Sequence, residues 1–131
     1  MTFEAPPTAD DIAELAERAL AAIPPALAEH VRGVGISVED MPDDEVLDDL
    51  GIESGWDLTG LYQGIPLTER SVNDVAPQPD LIFLYRQPIL LEWIETGETL
   101  YRLVRNVLIH EIAHHFGFSD ANIAALEREM E

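Results

Sequence analysis

The chain has 131 residues, of which 47% are hydrophobic, as expected for one domain with a core of its own. Its net charge is −19, from 26 acidic residues against seven arginines and no lysine, which argues against binding to nucleic acid or to anionic membranes. Because the chain has no cysteine, it has no disulfide framework, and any metal must be held by histidine and carboxylate ligands.

The first part of the chain is predicted to be helical after a short lead. Residues 1–7 contain two prolines and no signal-peptide pattern, so we expect a disordered lead in a cytoplasmic protein. Apolar residues at helical spacing predict a helix to about residue 22, capped by Thr8 or Asp10. Pro24 and Pro25 end it, and a short helix over 25–31 follows, with His30 at or near the surface.

The next segment combines a strand with the most acidic part of the sequence. Alternating apolar residues predict a strand over 34–39, and a short helix over 42–50 ends at Gly51. Residues 39–57 contain nine acids and no basic residue. Calcium binding is the alternative here, but the spacing lacks the EF-hand pattern and its glycine, so a solvated acidic face is favoured.

Two further strands flank a long loop. Residues 58–63 read as a strand, residues 64–79 as a loop with three prolines, and residues 81–85 as an apolar strand at the centre of the sheet. A helix over 88–94 ends near Gly97. No apolar run is long enough to cross a membrane.

The longest predicted helix, over 99–116, contains the residues that suggest chemistry. His110 and His114 are four residues apart, so they share one face of the helix and can bind one zinc ion, while Glu111 beside them can take a proton from a bound water. This face continues an apolar surface and should form the floor of a cleft. The predicted buried stripe of this helix is Leu100, Leu103, Val104, Val107, Leu108 and Ile112.

The residues after the helix extend the pattern to H-E-x-x-H-x-x-G-x-x-D. Gly117 can end the helix and turn the chain back, which brings Asp120 towards the metal as a third ligand and leaves the fourth position for water. Ser119 or Asp120 can instead cap a last helix over 121–130, or Ser119 can cap while Asp120 binds metal. Glu127 is the reserve candidate for the third ligand, and His115 is expected to be a polar neighbour.

The extended motif resembles that of metzincin-type zinc peptidases in the version whose third ligand is aspartate. Together with residues 61–68, it resembles the small bacterial zincin-like metallopeptidase family over roughly residues 20–125. Larger metzincins carry a methionine turn downstream of the third ligand. Here the only downstream methionine is Met130, so that feature is not carried over.

The resemblance implies one α+β zincin-like domain over 1–131, with a small mixed sheet of three or four strands packed on the motif helix. It also implies a zinc peptidase with His110, His114 and Asp120 as ligands and Glu111 as general base. In that family an edge strand pairs with the extended peptide or protein substrate, and residues 58–63 are the candidate strand. Tyr62 or Arg70 is a candidate donor to the oxyanion.

Two other functional classes remain open from the sequence. One is a non-catalytic zincin-like module that binds metal or peptide. The other is a metal-dependent nuclease, because bacterial rRNA-maturation nucleases resemble the chain in ligand spacing. Glu111, Asp120 and the charge of −19 all count against a nuclease.

Overall fold

A computed structural model of the protein describes residues 5–31, 33–64 and 80–129. Across these ranges, helices surround a three-stranded sheet, and a single 3₁₀ turn at Gly55–Asp57 precedes the second strand. The elements in chain order are α1 (Ala9–Ala22), α2 (Pro25–Ala28), β1 (Gly35–Glu39), α3 (Asp44–Leu50), β2 (Gly60–Gln63), β3 (Leu81–Tyr85), α4 (Arg86–Thr96), α5 (Leu100–His115) and α6 (Asp120–Glu129).

The sheet is mixed and has β3 at its centre, as the sequence predicts. Strand β1 runs parallel to β3 with Gly35 opposite Leu81, and β2 runs antiparallel to β3 with Gly60 opposite Leu84. Strand β2 is therefore an edge strand within the described part of the sheet. Three mixed strands and the surrounding helices confirm the predicted α+β class.

One face of the sheet packs on α5 and α1, which also pack on each other. Period-two alternation in β3 directs Ile82 and Leu84 into this layer, and both are fully buried. The whole predicted stripe of α5 is buried as well. Each such aliphatic side chain contributes about 1.5–3 kcal/mol by leaving water, so α5 is held firmly against the sheet.

Several boundaries differ from the predicted ones for local reasons. Thr8 rather than Asp10 caps α1, because its hydroxyl accepts from the Asp11 N–H at 3.1 Å and the Asp11 carboxylate accepts from the Thr8 N–H at 2.9 Å. Helix α4 begins at Arg86, two residues before Pro88, which lies in the first turn where its missing N–H is not needed. The predicted loop over 64–79 lies outside the described residues from 65 onwards.

The N-terminal prediction is wrong at its last residue. Pro7 is fully buried, and its carbonyl oxygen accepts a hydrogen bond of 2.7 Å from Nε of Arg86, at the start of α4. The segment just before α1 is thus fixed to the domain by packing and by one charge-assisted hydrogen bond. Residues 1–4 of the predicted lead lie outside the described ranges. No helix in those ranges has the length and apolar character needed to cross a membrane.

Gly60 lets β2 approach α5 at the position that matters most for the site. A Cβ atom at residue 60 would stand 2.7 Å from Cγ1 of Val107, 3.2 Å from the Phe83 carbonyl oxygen and 3.4 Å from Cγ of Glu111. Any side chain larger than hydrogen would therefore push the edge strand away from the motif helix.

We expect Gly60→Ala to lower the free energy of unfolding by about 1–3 kcal/mol, because it overpacks the contact between β2 and α5. Urea denaturation measures the change. The control is Val107→Ala, which removes the nearest atom. The double variant Gly60→Ala/Val107→Ala should be destabilised by less than the sum of the two single changes. Strict additivity would mean that the contact with Val107 is not what requires glycine.

Candidate metal centre

The last two turns of α5 bring two histidines to one cleft. His110 and His114 lie one turn apart with ring centroids separated by 5.9 Å, and both side chains are about half exposed. Leu103 and Val107 line the same cleft, which has a volume of about 390 Å³. The predicted apolar floor beneath the histidine pair is therefore present.

The chain reverses at Gly117 and starts α6 at once. Gly117 has φ of 81°, the left-handed conformation that glycine adopts most easily, and the Phe118 N–H donates to the Ala113 carbonyl oxygen at 2.8 Å. The Ser119 hydroxyl accepts from the Asn122 N–H at 3.1 Å and caps α6. Asp120 is the first residue of α6, so Ser119 satisfies the cap and leaves the Asp120 carboxylate free for another contact.

Helix α6 directs two carboxylates towards the two histidines. Oδ1 of Asp120 lies 3.2 Å from Nε2 of His114, and Oε1 of Glu127 lies 2.5 Å from Nε2 of His110. Seven residues separate the two acids, which places them two turns apart on the same face of α6. The antiparallel pair of α5 and α6 thus forms two histidine–carboxylate contacts, one beside the turn and one further from it.

The two carboxylates differ in their surroundings. The Asp120 side chain is 95% exposed, whereas that of Glu127 is 26% exposed and lines the cleft with His110, Glu111 and His114. In the sequence analysis Glu127 is only the reserve candidate for the third ligand. Its spacing of seven residues from Asp120 is the signal that places it on the same helix face. Thr59, Glu92 and Asn106 also line the cleft, and no motif in the sequence marks them.

Imidazole nitrogens and carboxylate oxygens are suitable zinc ligands, but each histidine contacts only one carboxylate. Within residues 5–31, 33–64 and 80–129, no three metal-binding side chains come together closely enough to hold an ion. Tetrahedral zinc with nitrogen and oxygen ligands keeps neighbouring donor atoms roughly 3.4 Å apart. The pair of His114 and Asp120, at 3.2 Å, already has about this separation. The pair of His110 and Glu127 is closer, and the Glu127 oxygen is buried without a hydrogen-bond partner.

Glu111 borders the cleft and is tied to the edge strand. Its carboxylate accepts a hydrogen bond from the backbone N–H of Tyr62 in β2. Burial raises the pKa of Glu111, and the Tyr62 N–H together with the charges of His114 and His110 offsets part of that increase. A carboxylate with raised proton affinity is a better general base than an exposed one.

The Tyr62 side chain is itself held by His115, the last residue of α5, and by Asp80, just before β3. The His115 ring stacks on the Tyr62 ring at 4.0 Å between centroids, and the Tyr62 hydroxyl donates to Oδ2 of Asp80 at 2.8 Å. His115 therefore faces β2, in keeping with the expected polar neighbour. The hydroxyl that the sequence offered as an oxyanion donor is bonded to Asp80. Arg70, the other suggested donor, lies outside the described residues.

Comparison with known protein families gives a match that covers most of the chain. The model of a family described as zincin-like metallopeptidase matches residues 31–130, which include every element from β1 to α6. A search of curated proteins finds no match to the chain.

We expect Tyr62→Phe to lower the free energy of unfolding by about 1–2 kcal/mol, because it deletes the bond to the Asp80 carboxylate and keeps the ring. Urea denaturation at neutral pH measures the loss. Tyr101→Phe is the control, since the Tyr101 ring lies 5.3 Å from the Arg18 guanidinium and keeps that contact without its hydroxyl. Equal stability of Tyr62→Phe and wild type would contradict a stabilising role for the bond.

The same variant should alter stability at high pH. Burial, followed by the hydrogen bond and charge of Asp80, raises the pKa of Tyr62 well above its ordinary value of about 10. The stability linked to the neutral phenol is thus fully present below pH about 10 and is lost as pH rises towards the folded-state pKa. Urea titrations above pH about 10 should show a smaller loss in Tyr62→Phe than in wild type.

Proposed function

The chain belongs to the zincin-like metallopeptidase family, and we propose that it is a zinc-dependent peptidase that hydrolyses peptide bonds in the cleft between α5, α6 and β2. The observation that carries the proposal is that His110, Glu111 and His114 line a single cleft. The geometry supports separate roles, in which His110 and His114 bind the ion and Glu111 accepts and donates protons.

In this proposal the ion is held by Nε2 of His110, Nε2 of His114 and a carboxylate oxygen of Asp120. The separation of 3.2 Å between the His114 and Asp120 atoms supports their acting on the same ion. Because Ser119 caps α6, the Asp120 carboxylate is not needed to stabilise the helix start. Bound zinc would supply an acidified water and polarise the carbonyl of the scissile bond.

Glu111 acts as general base and then as general acid. Its carboxylate takes the proton from the attacking water and returns it to the nitrogen of the leaving amine. The Tyr62 N–H fixes the carboxylate at the wall of the cleft, so little reorganisation is needed when the proton moves. The close approach that Gly60 permits is what brings β2 within reach of Glu111.

Strand β2 is the proposed binding site for the substrate backbone. Among the described strands it pairs only with β3, so the backbone groups on its other edge, apart from the Tyr62 N–H that Glu111 accepts, are the ones proposed to pair with an extended peptide. A substrate added there lies beside the Tyr62 backbone and hence close to Glu111. In this binding mode main-chain hydrogen bonds supply the affinity and do not select among the side chains of the substrate.

Glu111→Gln is expected to retain zinc and to lose peptide hydrolysis by about 100-fold or more, because the amide takes no proton from water. Turnover of a peptide mixture, with and without chelator, measures activity, and metal analysis measures zinc. His114→Ala should lose both zinc and activity, whereas His115→Ala should keep zinc, because its ring faces β2. Full activity in Glu111→Gln would contradict the proposed base, and chelator-insensitive activity would contradict a zinc peptidase.

Asp120→Asn is expected to bind zinc about tenfold or more weakly, because an amide is a far poorer zinc ligand than a carboxylate. Its stability without zinc should stay within about 1 kcal/mol of wild type. Ser119→Ala is the matched control. It should cost about 0.5–2 kcal/mol through loss of the cap and leave zinc affinity unchanged. The reverse pattern, with zinc lost in Ser119→Ala only, would remove Asp120 from the ligand set.

A further inference from the structure

Glu127 is one of the cleft residues to which the proposed reaction gives no role. It lies in the third turn of α6 and contacts Nε2 of His110, the ring nitrogen proposed to bind zinc. Asp120, which the extended motif contains, makes the equivalent contact with His114 from an exposed position. The two histidines therefore each have a carboxylate partner, and the one outside the motif is the more buried.

The packing of α6 fixes where Glu127 can reach. Ile123, one turn earlier on the same helix face, is 1% exposed, and Leu126 packs against the same hydrophobic core. The Ser119 cap defines where α6 begins, and burial of Ile123 and packing of Leu126 set which side of the helix faces the core. The backbone position of residue 127 thus places its side chain on the cleft side of α6.

One oxygen of the Glu127 carboxylate is buried, although the side chain as a whole is 26% exposed. Its Oε1 atom is shielded from solvent and has no hydrogen-bond partner, since the 2.5 Å contact with His110 lacks hydrogen-bond geometry. A buried polar oxygen without a partner is unfavourable, and a cation is the natural partner for an anionic one. The oxygen also lies close to where an ion bonded to the His110 nitrogen would sit, about 2.0–2.1 Å from that nitrogen.

A small displacement turns this contact into coordination. Two donor atoms on one tetrahedral zinc are roughly 3.4 Å apart, so the carboxylate needs to retreat by about 1 Å. A change in the side-chain torsions of Glu127 is the movement that this retreat requires. After this retreat the oxygen would still be within bonding distance of an ion held by His110. It would then occupy the fourth coordination position, which the proposed catalytic site leaves open for water.

We infer that Glu127 is a fourth protein ligand, which closes the zinc site in the resting enzyme together with His110, His114 and Asp120. The inference rests on the proposed function, because it assumes the same ion. A four-ligand site is typical of structural zinc, whereas catalysis requires an open position. Water and substrate must therefore displace Glu127 before hydrolysis, and the enzyme is latent until they do.

The test compares Glu127→Gln and Glu127→Ala with Glu129→Gln, which removes the same charge from an exposed position on the same helix. Zinc affinity is measured by competition with a chromogenic chelator. The cobalt-substituted proteins are compared by visible absorption, which responds to the ligand set. Both Glu127 variants should bind zinc about tenfold or more weakly than Glu129→Gln and show an altered cobalt spectrum. At saturating zinc, their turnover per bound ion should exceed that of wild type.

Three results would overturn the inference. Zinc affinity and a cobalt spectrum equal to those of Glu129→Gln would show that Glu127 is not a ligand. Weaker zinc binding with lower turnover per bound ion would show a ligand that supports catalysis and does not close the site. Failure of wild type and Glu129→Gln to bind zinc at all would overturn the proposed function as well, and only this last result does so.

Discussion

Burial of one face of α5 is the constraint on which the rest of the structure depends. Nine of its sixteen residues are buried, and α5 packs on α1 and β2 and also on other helices, so the rotation of the helix about its axis is fixed. Because that rotation is fixed, the positions of His110 and His114 are fixed too. Both side chains are about half exposed and lie together at the edge of the core. The hydrophobic effect thus orients the candidate metal ligands before any metal is present.

The edge strand β2 connects the core to the candidate chemistry. Gly60 allows the strand to lie against Val107 and Glu111, and the next residue but one, Tyr62, donates its N–H to the Glu111 carboxylate. Stacking of His115 and the bond to Asp80 hold the Tyr62 side chain on the other side. The strand proposed to bind the substrate is therefore the strand that positions the base, so peptide binding and proton transfer depend on the same backbone.

Much of the fold follows from sequence patterns that act over a few residues. Thr8 with Asp11, and the left-handed glycines 51, 97 and 117, define the helix ends, and the apolar run over 81–85 identifies the central strand. These signals are local, so sequence alone reveals them. The burial of Pro7 against Arg86 and the contact of Glu127 with His110 join residues far apart in the chain or on different helices. Such contacts depend on how the helices pack, which no single-segment pattern encodes.

The packing of α6 links the stability of the fold to the affinity for metal. Within residues 120–129 only Ile123 is fully buried, so apolar burial alone gives the helix limited attachment to α5. Its two carboxylates lie against the two histidines of α5 in a chain that carries a net charge of −19. A divalent ion shared by the two helices would offset part of that negative charge and hold α6 in place. By the same linkage, a change that loosens α6 would weaken the proposed metal site, and the free energy of metal binding there would in part be the free energy of docking α6.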